Sequence, residues 1–475
     1  MPDFFRTPHR IVWLGLLLAA TPAHSDSQNW TSRYVSRPAS ELDGQKLREI
    51  YASATREVVV LNGLWEARKE GEQAWHPVSV PGAFDFQGQV TFRRKVKLDS
   101  SLMGRRLQFV ALGINARCTI FVNDKFVGTH VGGHTSFRFP VDSSVFFFGK
   151  ENEFRIEVSN RLSPRGTLPL KHRPLAPRNL GGIFRDVFLL ALPEISLAGV
   201  QVTPSLSSEL SEGKLDVLAE VKTEAGNPPP GDNVIVYLEL RDKEKPGRVL
   251  RSAPVPVQLH PGVVRVTAEL LVPKARPWRP EQPKLYELRV VLARGRKTLD
   301  VTRASVGFSD FQVGPDGFLV NGKATRLNGV GWVEWWPDAG PCAGWEALER
   351  DLRTIKKLGA DAVRVVAAPP HPFFLHLCDQ LGLLVLEEMP LFSIPRPRFE
   401  DPGFMKLVSS YLTEMLRRDA SHPSLAAWGV GGESSEAGAH LGTLIGLVRQ
   451  LSPRPVYVVE RPRLGCSVPD AVDFT

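Results

Sequence analysis

Cysteine is scarce: Cys118, Cys342, Cys378 and Cys466 are widely spaced, form no CxxC pair and have no histidine at zinc-ligand spacing. That excludes a disulfide framework and leaves separately buried thiols as the expectation. Long apolar runs are also missing. No stretch reaches the about 18 residues that a membrane-crossing helix needs, so no membrane span is expected. Runs of one charge are absent as well. The net charge of +8 comes from Lys and Arg scattered among acids, and no nucleic-acid motif accompanies them, which sets nucleic acid aside as a partner.

What remains, 43% hydrophobic and 23% charged, is the composition of an ordinary globular protein. At 475 residues the chain is too long for one hydrophobic core, and two to four domains are expected. It opens with Arg6, His9 and Arg10, the apolar stretch Ile11 to Ala20, and then Ala23-His24-Ser25. This is the pattern of a cleavable secretory signal over 1–25, which implies a secreted or periplasmic protein. Residues 26–57 read as a linker.

Three rhythms follow. From 58 to 195 short alternating runs, among them Leu107 to Leu112, Phe154 to Val158 and Val187 to Leu192, are broken by Gly, Asn and Pro, with Asn123-Asp124 placed as a hairpin turn. Many short strands of this kind make a β-sandwich. A second all-β stretch, 196–313, has the length of an immunoglobulin-like sandwich. From 314 to 475 buried strands alternate with amphipathic helices, whose stripes include Leu348, Leu352, Ile355 and Leu358, then Val408, Tyr411, Leu412 and Met415. The strand candidates are Arg326 to Val330, Ala362 to Ala367, Leu383 to Leu386, Leu425 to Val430, Val456 to Val459 and Ala471 to Phe474. Six such strands open a (β/α)8 barrel that needs eight. Either the chain is a truncated product or something else covers the gap. The fold class expected is therefore multidomain β plus α/β, ending in an incomplete TIM barrel.

Chemistry in such a barrel gathers at the carboxyl ends of the strands. The run Leu425 to Val430 ends in Gly431-Gly432-Glu433, which makes Glu433 the first catalytic candidate.

The ordered motifs resemble family 2 of the glycoside hydrolases, the group of β-galactosidases, β-glucuronidases and β-mannosidases. In the first sandwich the resemblance rests on Leu61-Asn62-Gly63-Leu64-Trp65, Gly132-Gly133-His134-Thr135-Ser136-Phe137 and Gly181-Gly182-Ile183-Phe184-Arg185-Asp186. Further on it rests on Trp278-Arg279-Pro280-Glu281-Gln282-Pro283, Leu319-Val320-Asn321-Gly322-Lys323, Ala362-Val363-Arg364, Leu377-Cys378-Asp379-Gln380-Leu381-Gly382 and His422-Pro423-Ser424. The resemblance implies a sugar-binding jelly roll, an immunoglobulin-like domain and a barrel that hydrolyses β-linked glycosides with retention.

By the same resemblance Glu433, in Trp428-Gly429-Val430-Gly431-Gly432-Glu433, is the proton donor, and Arg364, Glu388, Glu334 and Trp428 are its substrate-binding surroundings. Two family positions depart: Gly432 stands for an Asn that binds a sugar hydroxyl, and Ala367 for a His. The nucleophile belongs to a seventh strand that the chain does not reach, and Glu460 is the nearest acid in a comparable place. Trp332, Trp335, Trp336 and Trp345 read either as a sugar-stacking platform or as loop packing. No cofactor and no metal site is expected, the partner is a carbohydrate, and an oligomer is compatible with the sequence. A non-catalytic glycan-binding relative in the cell envelope is the alternative.

Overall fold

The computed structural model describes residues 30–163, 167–168, 179–223, 233–245, 247–315, 317–342, 344–366, 368–392, 394–432 and 438–459. The signal segment 1–25, Ala367, Glu433, Glu460, Cys466 and the strand candidate Ala471 to Phe474 lie outside these residues.

The first β region has two large antiparallel sheets, and its strand Gly82–Phe84 pairs with Tyr34–Ser36 in a small third one. One large sheet has four strands in the order Phe137–Val141, Arg106–Ala111, Val187–Leu192, Glu57–Val60, and the other has six, from His76–Val80 to Lys125–Gly132. The run Val187–Leu192 is buried along its whole length, and its alternation explains why. Val187, Leu189 and Ala191 face the sandwich interior. Phe188, Leu190 and Leu192 face a second core shared with the helices of the C-terminal region. A strand covered on both faces must be apolar throughout. At the expected hairpin, Asn123 and Asp124 have φ of 48° and 61°, the left-handed pair that a two-residue turn requires.

Residues 30–57, read as a linker, are packed. Helix α1 (Glu41–Tyr51) buries Leu47, and Asp43 accepts the backbone N–H of Trp345 at 2.7 Å. The second β region pairs Glu212–Thr223 with Ser196–Leu206 and Gly262–Pro273 in one sheet, and Val234–Asp242 with Tyr286–Arg294 in the other.

The C-terminal region is a five-stranded parallel sheet flanked by helices: β1 (Gly329–Trp332), α2 (Trp345–Lys357), β2 (Ala362–Val365), α3 (Pro372–Leu381), β3 (Leu384–Glu388), α4 (Pro402–Asp419), β4 (Leu425–Gly432), α5 (Gly438–Leu451) and β5 (Val456–Val459). The strands stand in sequence order, each parallel to the next. The first begins three residues later than expected, at Gly329 rather than Arg326. In the helical stripes, Leu348 and Leu352 are buried but Leu358 is 73% exposed. It is the C-cap of α2, where the helix ends and the stripe has no further turn to continue on.

Candidate active site

Strand β3 sorts its side chains by alternation. Leu384 packs in a small cluster with Ala362, Ala426 and Trp278, and Leu386 lies against it. Val385 instead joins the core under the helices. With a period of two, Glu388 falls on the side of Leu384 and Leu386, inside the curved sheet, and Glu387 on the helix side.

Glu388 is held from both sides. The guanidinium of Arg364, on β2, pairs with it through Nε. The Tyr457 hydroxyl, on β5, donates to the same Oε1 at 3.0 Å. Burial works against the charge on Arg364, but the Glu388 carboxylate outweighs it and raises the pKa of the guanidinium. Burial first, and the Glu388 charge second, push the Tyr457 phenol well above its usual range, so it keeps its proton and acts as donor.

Strand β4 lies between Glu388 and Tyr457, and Gly429 is level with both. A Cβ at Gly429 would stand 2.6 Å from Glu388 Cγ and 2.8 Å from Tyr457 Cζ. Only glycine lets the two side chains meet across the strand. Tyr457 was not legible as a site residue. Its one signal is a phenol in an otherwise aliphatic strand, Val456–Val459.

The remaining candidates divide. Trp428 is a correction: it is fully buried, belongs to the helix-side core and donates from Nε1 to Ser452 Oγ at 2.9 Å. Because Gly429 faces inward, its neighbour Trp428 faces outward, so it is not a substrate contact. Glu334 is also corrected. Its Oε2 accepts from Arg185 Nη2 at 2.7 Å and from the His371 backbone N–H at 3.0 Å. It therefore ties the first sandwich to the barrel strands and does not join Arg364 and Glu388.

The tryptophans pack within the loops and helices. Trp332 lies 4.6 Å from the Phe374 ring, Trp336 donates to Asp351 at 2.9 Å, and Trp345 donates to Glu349 at 3.0 Å. Trp335 packs beside Ala83, Phe184 and Cys342. Glu433, the proton-donor candidate, lies outside the described residues, one position beyond the end of β4. At Gly432 a Cβ would stand 2.4 Å from the Phe392 ring, so that ring occupies the space a side chain there would need.

Glu387 is a buried carboxyl pushed well above the usual range by burial and by the neighbouring Asp419 charge. The Arg418 guanidinium stands 3.5 Å away.

Two family models match in tandem: "Glycosyl hydrolases family 2" over residues 195–308 and "Glycosyl hydrolases family 2, TIM barrel domain" over 311–472. A β-galactosidase of Thermoanaerobacter pseudethanolicus is 26% identical over 370 residues, covering 73% of this chain and 45% of its own length. One from Enterobacter cloacae is 31% identical over 268 residues, covering 55% of this chain and 26% of its own. The chain thus spans less than half the length of either relative. The structure of a β-D-glucuronidase of Dictyoglomus thermophilum superposes with a TM-score of 0.74 at 24% identity, over 86% of this chain and 73% of that one, which is a likeness of fold. With the second β region and the parallel-sheet region each matched by a family 2 model, the chain is a relative of the family 2 glycoside hydrolases.

Proposed function

We propose that the chain carries part of the machinery of a retaining glycosidase that cleaves β-linked sugars of the galactoside or glucuronide type. The observation that carries this reading is the Arg364–Glu388–Tyr457 arrangement around Gly429. It sets a fixed negative charge and a protonated phenol inside a parallel sheet, at the strand ends where barrels bind substrate. The first β region serves as a jelly roll and the second as an immunoglobulin-like spacer. The parallel sheet is the opening part of a (β/α)8 barrel.

Retention needs an acid and a nucleophile about 5 Å apart. Glu433, following Gly432 at the end of β4, is the proton donor in this proposal. Glu388 is a positioning group: its carboxylate is already committed to Arg364 and Tyr457, so it shapes the field of the site and does not attack the sugar.

The test is hydrolysis of nitrophenyl β-galactoside and β-glucuronide by the chain and by Glu433→Gln. Loss of at least about 100-fold in kcat/KM for the variant is expected, in the range of general acid catalysis. Equal rates would remove Glu433 from the mechanism. No turnover by either protein, with saturable sugar binding, would favour the non-catalytic reading, to which the amide missing at Gly432 also points. Export is part of the proposal. Sequencing the mature N-terminus after expression with a secretion pathway is expected to begin after Ser25, and an intact Met1 would overturn it.

A further inference from the structure

Away from Glu388, at the opposite end of the parallel sheet, three metal-ligating side chains converge from two elements. His376 and Asp379 are three residues apart on α3, which places them on one helix face. His422 comes from the connection between α4 and β4. One ligand atom from each of the three lies within 4.8 Å of the others.

The hydrogen bonds assign the roles. Asp379 Oδ1 accepts from the Ser424 hydroxyl at 2.6 Å and the Ser424 backbone N–H at 3.1 Å. Its Oδ2 lies 2.6 Å from His422 Nδ1. This fixes the His422 ring and leaves Nε2 as its second nitrogen. His376 meets His422 edge to face, with centroids 4.8 Å apart at 77°. Among the described residues no hydrogen bond engages the nitrogens of His376. Two imidazoles on one tetrahedral zinc, with Zn–N about 2.0–2.1 Å, hold their centroids roughly 5 Å apart, so the 4.8 Å edge-to-face pair needs only ring rotation to share one ion.

Access and charge bear on the site too. His376 lines a cleft of about 180 Å³ between α1, the second β region and α3, together with Gln380, Lys243 and Glu287. Lys46, Lys243 and Arg303 line the cleft against Glu49 and Glu287, so its mouth opposes a bound cation; the Lys243 amine donates to Ser305 Oγ at 2.8 Å.

We propose that His376 and His422 are the imidazole ligands of a site for a divalent transition-metal ion of the zinc type. Asp379 orients His422 from behind, the carboxylate–histidine–metal relay of such sites. Water from the cleft fills the remaining positions. Nitrogen donors select zinc, cobalt or nickel over magnesium and calcium. No sequence motif marks these donors, since they are split between α3 and a turn more than forty residues further on.

The test is calorimetric titration of the untagged, chelator-stripped chain with ZnCl2, with Co2+ absorption as a second readout. One equivalent is expected to bind. His376→Ala should weaken binding at least tenfold in a chain that still folds by circular dichroism, and His376→Leu, which keeps the packing volume without a donor, should weaken it equally. His422→Gln, which retains an amide donor toward Asp379, should weaken it similarly, and Lys243→Met should strengthen it. Absence of saturable binding to the wild-type chain, or equal affinity in His376→Ala, would overturn the proposal. Neither outcome touches the glycosidase reading, which is tested at the other end of the sheet.

Discussion

Among the described residues Glu388 meets a hydrogen-bond donor on each side, and the two are not equivalent. Arg364 is a permanent cation, whereas Tyr457 donates only while its phenol stays protonated, which its burial ensures. Tyr457→Phe removes that donor and keeps the ring packing. A hydrogen bond to a charged group contributes about 1.5–3 kcal/mol, so kcat/KM, or sugar affinity if the chain only binds, is expected to fall roughly tenfold or more. An unchanged value would show that the Tyr457 hydroxyl does not position Glu388.

Glu387, one residue earlier and on the opposite face, behaves differently. Its folded-state pKa is raised, so its contribution to stability is fully present below the unfolded value of about 4.3 and is lost as pH rises toward the folded value. Glu387→Gln should therefore gain stability over the wild type progressively as pH rises from 5 to 8 in urea melts. A difference that shrinks over that window would contradict the sign.

Among the elements, α4 illustrates what a sequence reveals. Its stripe Val408, Tyr411, Leu412 and Met415 is buried as its spacing predicts. Its start is set by Asp401, whose side chain accepts the Gly403 N–H at 2.7 Å and the Phe404 N–H at 3.3 Å ahead of a proline-led first turn. Asp401→Ala should cost about 1 kcal/mol, measured by urea unfolding. A cost near zero would mean that Pro402 alone fixes the helix start.

Strands were legible in place but not in direction. Val456–Val459 was bounded correctly, as was Val187–Leu192. A strand buried on both faces, however, carries no polar alternation to say which side chains look inward. The resemblance placed Trp428 with the substrate contacts and no alternation corrected it, although it faces the helices, and Tyr457 was passed over although it faces Glu388. Arg364 and Glu388 were found through the family resemblance, which fixes positions along the chain without needing the face of the strand.

At the scale of the whole chain, the first sandwich is joined to the barrel strands by buried charges as well as by Phe188, Leu190 and Leu192. No sequence period marks this junction, since its members come from distant segments. Arg185, with a fully buried side chain, spans it: it donates to Glu334 Oε2 at 2.7 Å, to the His134 carbonyl at 2.6 Å and to the Pro369 carbonyl at 2.8 Å. Beside it the His371 ring lies 2.7 Å from Asp186, which also accepts from Arg37 at 3.0 Å and Asn62 at 2.6 Å.

Removing one partner of a buried pair strands the other, at a cost of about 3–5 kcal/mol, whereas replacing both can be nearly neutral. Arg185→Met should accordingly lower stability by that amount and split guanidinium unfolding into separate sandwich and barrel transitions. Arg185→Met with Glu334→Gln should recover part of the loss, because the uncompensated carboxylate is gone while the Pro369 carbonyl still lacks its donor; the His134 carbonyl keeps Arg418 Nη1 at 3.0 Å. If the double variant were as unstable as the single one, the cost would lie in the Pro369 carbonyl and the lost packing and not in the stranded charge. Glu334 would then be a passenger at the junction instead of its anchor.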